Sequence, residues 1–153
     1  MIHLVLYQPD IPQNLGAVLR LAACMGAQVH VIEPCGFPLS DQRLKRAGMD
    51  YIDHVALTRH PTWEDFLAHR TAHPGRLLLL ETDGTTRYTD IAYRPSDYIV
   101  LGSESAGTPR ALYAQMDATL TIPMKPGLRS LNIAISAAIL TAETCRQLDW
   151  AFA

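Results

Sequence analysis

The sequence predicts an α/β fold, a mainly parallel sheet flanked by helices. Three observations carry this expectation. Short apolar runs of strand length alternate with stretches of helical periodicity along the chain. One run, Leu77 to Leu80, is four consecutive leucines, as expected of a strand covered on both faces. The 153 residues are 48% apolar and 18% charged, which suits a single domain over 1–153 with a real core and excludes a disordered chain.

Taken in order, Ile2–Tyr7 has strand character. Pro12–Met25 has helical spacing, with Val18, Leu21, Ala22 and Met25 on one face and Gly26 as the stop. Gln28–Glu33 reads as a second strand, ended by Pro34. Asp41–Ala47 reads as a short helix carrying Arg43, Lys45 and Arg46, and Ile52–Leu57 as a strand. Thr62 caps a helix over Trp63–Ala72, with Asp65 three residues on in near-capping-box spacing. Arg76–Thr82 holds the leucine run, and Asp97–Gly102 is a further strand. Pro109–Met116 is a short helix, Ala118–Ile122 a last strand, and Ser130–Leu148 the longest helix. From Leu131 to Leu140 that helix is apolar or small nearly all round, apart from Asn132 and Ser136 on one face. A helix without a wet face is buried in the domain or against another subunit, and a homodimer interface is the favoured reading.

The net charge of −2 means that any surface for nucleic acid has to be local. Three widely spaced cysteines with no CxxC pair point to neither a zinc knuckle nor a disulfide framework. Cys24 and Cys145 lie in helical apolar stretches and are expected as small hydrophobes in a reducing, cytoplasmic setting. The N-terminus shows no signal-peptide pattern, and the longest apolar-looking run, Leu131–Ala142, is well short of the ~20 residues of a membrane span. The six histidines show no HExxH spacing. His69 and His73 are four apart without an evident third ligand, so no metal site is expected.

Three polar islands sit beside apolar runs. The first is Pro12-Gln-Asn14-Leu-Gly16-Ala-Val-Leu-Arg20. Pro12 suits a first helical turn and Asn14 is placed to satisfy free N–H groups there. Arg20 reads either as an exposed helix residue or as a guanidinium reaching a phosphate or ribose beside Gly16. The second, Leu101-Gly-Ser-Glu104-Ser-Ala-Gly107, follows a strand, where parallel sheets bind ligands. It reads as a solvated glycine-rich loop or as a binding loop in which Gly102 permits close backbone approach and Glu104 presents a carboxylate. GxxxxGK[ST], GxGxxG and GxSxG are all absent. The third is Ile122-Pro-Met-Lys-Pro-Gly-Leu-Arg129-Ser-Leu-Asn132, at the mouth of the long helix. Ser130 reads as an ordinary N-cap. Arg129 is a cation where the helix dipole disfavours one, as if an anion were to be met.

Together and in order, these islands resemble the three motifs of the SPOUT class of S-adenosyl-L-methionine-dependent RNA methyltransferases, in its ribose 2'-O-methylating branch. The likeness includes the His30-Val-Ile-Glu-Pro34 segment and Arg46-Ala-Gly-Met-Asp-Tyr51. It is closest to minimal members that act on the wobble nucleotide, cytidine or uridine 34, of leucine-type tRNA. Thr108, where an aliphatic residue is more usual, is a local departure.

The resemblance implies a C-terminal deep trefoil knot housing the cofactor, and an active site built by two subunits. It places the methyl donor against Leu80, Gly102, Ile122 and Ser130, with Leu131 nearby. It matches Arg20 to the catalytic arginine, and Asn14, Glu104, Ser130 and Asn132 to supporting polar positions. A homodimer binding the tRNA anticodon stem-loop through Arg20, Arg43, Lys45, Arg46 and Arg129 is expected, with no metal and no membrane. The alternatives are a ribosomal RNA 2'-O-methyltransferase on the same scaffold, and a non-catalytic RNA-binding module.

Overall fold

The computed structural model describes residues 1–40 and 54–150. In chain order the elements are β1 (His3–Tyr7), α1 (Pro12–Met25), β2 (Gln28–Ile32), β3 (Leu57–His60), α2 (Trp63–Ala72), β4 (Leu77–Leu80), β5 (Thr86–Arg87), β6 (Tyr98–Leu101), a 3-10 helix (Arg110–Gln115), β7 (Ala118–Thr121) and α3 (Ile133–Gln147). Among the described residues the strands form one sheet in the order β3-β2-β1-β6-β4-β7-β5. Every pairing in it is parallel.

Alternation along each strand divides the core in two. On one face Leu4, Leu6, Val29, Leu78, Ile99 and Leu101 pack with Leu15, Val18, Leu19 and Ala22 of α1 and with Ala137 and Leu140 of α3. On the other, Val5, Ile32, Leu77, Leu79, Tyr98 and Val100 meet Trp63 and Phe66 of α2. The leucine run therefore feeds both cores. Its last member, Leu80, stands at the carboxyl end of the sheet. At the opposite end a bidentate pair joins the bases of β4 and β6: Arg76 Nε and Nη2 donate to Asp97 Oδ1 and Oδ2 at 2.9 and 2.7 Å.

Several sequence expectations move. The buried face of α1 is Leu15/Val18/Leu19/Ala22, with Leu21 and Met25 only partly buried. Gly26 ends it as expected, at φ 65° with its N–H on the Ala22 carbonyl. Cys145 is buried but Cys24 is exposed, because it points away from the sheet. The strand expected over Ile52–Leu57 is observed at Leu57–His60. Its register on β2, Val29 with Leu57 through Ile32 with His60, fixes polar residues there that hide the strand in the sequence. The first two residues of that expectation, and the whole Asp41–Ala47 helix with Arg43, Lys45 and Arg46, lie outside the described residues. Strand β5 is two polar residues long and carries no sequence signal. Pro109–Met116 forms a 3-10 helix over Arg110–Gln115. Helix α3 starts three residues later than expected, and its N-cap is Asn132 instead of Ser130.

Thr62 caps α2 as the sequence indicates: its Oγ1 accepts from Asp65 N at 3.1 Å and donates to Asp65 Oδ2 at 2.8 Å. Beneath α2 lies an arrangement the sequence conceals. His3, His30 and His60, on three adjacent strands, join ring to ring: His3 Nδ1 to His30 Nε2 at 3.1 Å and His30 Nδ1 to His60 Nε2 at 3.0 Å. His69 of α2 packs against both His30 and His60 and stacks on His73. Both nitrogens of His30 are engaged inside a core with Phe66 and Tyr98. Burial, and then the neighbouring imidazoles, pull its pKa down to about 3; burial, and then the positive charge of the N-terminus, pull that of His3 down to about 4. Among the described residues no three histidine, cysteine or acidic side chains converge as metal ligands. No helix there is long and apolar enough to cross a membrane.

A neutral buried imidazole makes folding acid-sensitive. An unfolded histidine takes up a proton near pH 6.5 and His30 in the fold does not, so its contribution is complete above that pH and is lost as the pH falls towards 3. Denaturant titrations between pH 7.5 and 4.5 should show stability falling by up to ~1.4 kcal/mol per pH unit for this group. His30→Gln should be less stable at pH 7.5 and should show a shallower acid slope.

Candidate active site

Among the described residues the paired strands are all parallel, so their carboxyl ends lie on one side, and the segments leaving β1, β4, β6 and β7 converge there. They enclose a cavity of about 440 Å3. Of the residues singled out in the sequence, Asn14, Leu80, Gly102, Glu104, Ile122, Ser130, Leu131 and Asn132 all line it. Arg20 does not. It lies on the exposed face of α1, beyond the turn that carries Asn14.

A directional line of hydrogen bonds joins the three islands. Asn132 Oδ1 accepts from Ala134 N and Ile135 N at 2.8 and 3.3 Å, capping α3. That leaves its amide nitrogen to donate, which it does to Asn14 Oδ1 at 2.9 Å. Asn14 Nδ2 in turn donates to Glu104 Oε1 at 3.0 Å. Glu104 Oε2 accepts from the backbone N–H of Asp10 at 2.9 Å. The cap thus dictates both amide orientations. Asn14 does not cap α1, as its sequence position suggested: the N-cap there is Ile11, with no side-chain bond, and Asn14 is 9% exposed and turned into the network.

The loop after β6 is tight. Ser103 and Gly107 exchange backbone hydrogen bonds at 3.2 and 2.8 Å, and Gly107 has φ 66°, the left-handed region where glycine is at home. Gly102 has no room for a side chain: a Cβ there would lie 2.6 Å from both the Gly107 carbonyl carbon and Thr108 Oγ1. Backbone therefore forms the cavity wall at this point. Leu80, Ile122, Leu131 and Ile133 supply an apolar lining; Glu81, Glu104 and Arg129 supply the charged groups. A concavity of this size, lined about equally by polar and apolar groups, suits a small molecule that carries both an apolar part and several polar groups.

Two acidic residues escaped the sequence reading. Glu81 is the first residue past β4, and its Oε1 accepts from Thr108 N at 3.1 Å. Its place just beyond the carboxyl end of a buried strand was the available signal. Asp10 precedes α1, and its carboxylate accepts hydrogen bonds from Ser103 Oγ and Ser105 N at 3.3 and 3.2 Å. Nothing in the sequence distinguishes it from a solvated loop residue.

Residues 1–142 match the SpoU rRNA Methylase family. The chain is 50% identical over 145 residues to a tRNA (cytidine(34)-2'-O)-methyltransferase of Beijerinckia indica, covering 95% of this chain and 91% of that protein. It is 39% identical over 152 residues to the enzyme of the same name from Escherichia coli K12, covering 98% and 96%. A solved structure described as giving insights into the 2-OH methylation of C/U34 on tRNA superposes with a TM-score of 0.91 at 42% identity, over 97% of each chain. An AdoMet-bound rRNA methyltransferase from Sinorhizobium meliloti superposes with a TM-score of 0.84 at 28% identity, over 96% of this chain and 56% of that one.

The double duty of Asn132 is separable by substitution. Asn132→Ala removes the cap and leaves Asn14 short of a donor, and should lower unfolding stability by about 1–2 kcal/mol. Asn132→Asp keeps the cap acceptor and loses the donor, and should restore part of the denaturant midpoint while leaving the link to Asn14 broken.

Proposed function

The chain belongs to the SpoU rRNA methylase family, and we propose that it transfers a methyl group from S-adenosyl-L-methionine to the ribose 2'-hydroxyl of nucleotide 34, cytidine or uridine, of tRNA. The observation that carries this reading is the convergence of eight expected residues on one cavity at the carboxyl ends of the parallel strands. The sulfonium of the cofactor supplies an activated methyl group and its own leaving group, so the protein's task is positioning and aid to proton loss. Gly102 opens the backbone wall to the cofactor, Leu80, Ile122 and Leu131 take its apolar body, and Ser130 lies at the rim. Asn14, Asn132 and Glu104 hold a fixed polar edge on which the acceptor ribose is aligned.

Arg20 meets the RNA. A guanidinium stays protonated at neutral pH and its fork matches phosphate and ribose oxygens, so it positions and does not take the proton. Since it lies off the cavity of its own chain, a homodimer that brings the partner subunit's Arg20 to each cavity is the natural assembly. Exposed Leu131 (38%), Ile135 (54%) and Leu128 (67%), at and before the start of α3, support an apolar interface there. The C-terminal knot accords with the strand order. The chain leaves β4 for the sheet edge at β5 and returns to lay β6 between β1 and β4. It then lays β7 between β4 and β5 before α3 packs beside α1. Meanwhile the turn after β4 is laced to β7, with Thr121 Oγ1 donating to the Thr82 carbonyl. A tRNA anticodon stem-loop, met across the dimer by local cations such as Arg20 and Arg129, is the substrate, and the cytoplasm the site of action.

The purified protein should place label from methyl-labelled S-adenosyl-L-methionine on tRNA from a strain lacking the modification, and position 34 should become resistant to alkaline cleavage. Label on ribosomal RNA alone would establish the rRNA reading instead, and cofactor binding without transfer to any RNA a non-catalytic module. Gly102→Ala should abolish the thermal stabilisation by S-adenosyl-L-methionine, because the added methyl must displace backbone at Gly107 and Thr108.

A further inference from the structure

We infer that Asp10 is a positioning residue for methyl transfer: it clamps the 103–107 loop and sets the carboxylate of Glu104 at the cavity edge. The inference rests on the function proposed above for what the clamp serves. The clamp itself rests on geometry.

Asp10 holds the loop from two sides at once. Its backbone N–H donates to Glu104 Oε2 at 2.9 Å. Its side-chain Oδ2 accepts from Ser103 Oγ at 3.3 Å, from Ser105 N at 3.2 Å and from Ser105 Oγ. The residues before and after Glu104 are therefore tied to the same carboxylate oxygen, with Glu104 itself tied to the Asp10 main chain.

The base of the clamp is rigid. Pro9 precedes Asp10 and Pro12 follows two residues later, each fixing its own φ. Gln8 N donates to the Ile32 carbonyl at 2.9 Å, and Gly36 N to the Pro9 carbonyl at 3.0 Å, so this turn is sewn to the end of β2 and beyond. Gly36 packs so closely that a Cβ there would lie 2.5 Å from Asp10 Cβ. Asp10 Oδ1 is buried without a hydrogen-bond partner, a cost accepted where the carboxylate's other oxygen is in use. None of these contacts belongs to the hydrophobic core. Asp10 does not line the cavity, so it acts through Glu104 and the loop.

The test uses the full-length protein with Asp10→Ala, Asp10→Asn and Ser105→Ala, the last removing the clamp from its exposed end should Asp10→Ala fold poorly. Hydrogen exchange of the 102–108 segment should accelerate in Asp10→Ala and leave 28–33 unchanged. This readout holds whatever the protein methylates. On tRNA, Asp10→Ala should lower kcat on the order of 10- to 100-fold, as expected for misplacement of a reacting group, with the Kd for S-adenosyl-L-methionine changed by no more than about 3-fold. Asp10→Asn, which keeps an acceptor for Ser105, should recover most of kcat. In a Glu104→Gln background, Asp10→Ala should cost little more. Unchanged exchange in the loop overturns the clamp. A loss of kcat that multiplies in full with Glu104→Gln overturns action through Glu104. A wild-type protein that methylates no RNA defeats the functional reading and leaves the exchange result to decide the clamp.

Discussion

One hydrogen-bond sequence organises the functional end of this molecule: the first turn of α3, Asn132, Asn14, Glu104 and the Asp10 N–H. Each member has a single way to satisfy the next. The cap takes the Asn132 oxygen, so its nitrogen must donate; Asn14 must then accept on its oxygen and donate from its nitrogen, and a carboxylate is the natural terminus. Segments 90 to 118 residues apart in sequence are held together by bonds of 2.9–3.0 Å. The cavity has its shape because these segments cannot drift relative to one another.

The sheet makes this network possible. All-parallel strands send their carboxyl ends to one side, and cores on both faces hold those ends in register. Tyr98–Leu101 is buried along its full length between β1 and β4, which sets the Gly102–Gly107 loop between the segments leaving β1 and β4. Close packing of the backbone at Gly102 turns that position into a wall without side chains. The rigid scaffold and the polar edge have separate causes: apolar burial places the strand ends, and hydrogen-bond complementarity orders what hangs from them.

The opposite half of the sheet follows different chemistry. His3, His30 and His60 run diagonally across three strands where aliphatic residues would ordinarily sit. Burial keeps these imidazoles neutral and lets each serve the next as donor or acceptor. The polar atoms are thereby satisfied without water, at the expense of tolerance to acid. The cluster lies beneath α2, on the sheet face away from α1 and α3.

By itself the sequence determined the architecture and most of the site's membership. Alternating runs foretold the parallel α/β sheet, the leucine run foretold a strand with two covered faces, and Thr62, Gly26 and Pro12 marked helix ends correctly, because these signals are local. Seven of the eight expected cavity residues lie in the three islands, and the eighth, Leu80, ends the leucine run. What only tertiary structure decided is what each residue does with its polar atoms. Asn14 has the sequence address of a cap and the environment of a relay, while Asn132 took the cap expected of Ser130. Asp10 looked like a solvated turn residue and closes on a loop 95 residues away. Strand β5 and the histidine ladder left no local trace, since two-residue pairing and cross-strand ring contacts exist only once the register is set. Periodicity reports which face of an element is buried; it carries no information about which distant donor will meet which acceptor.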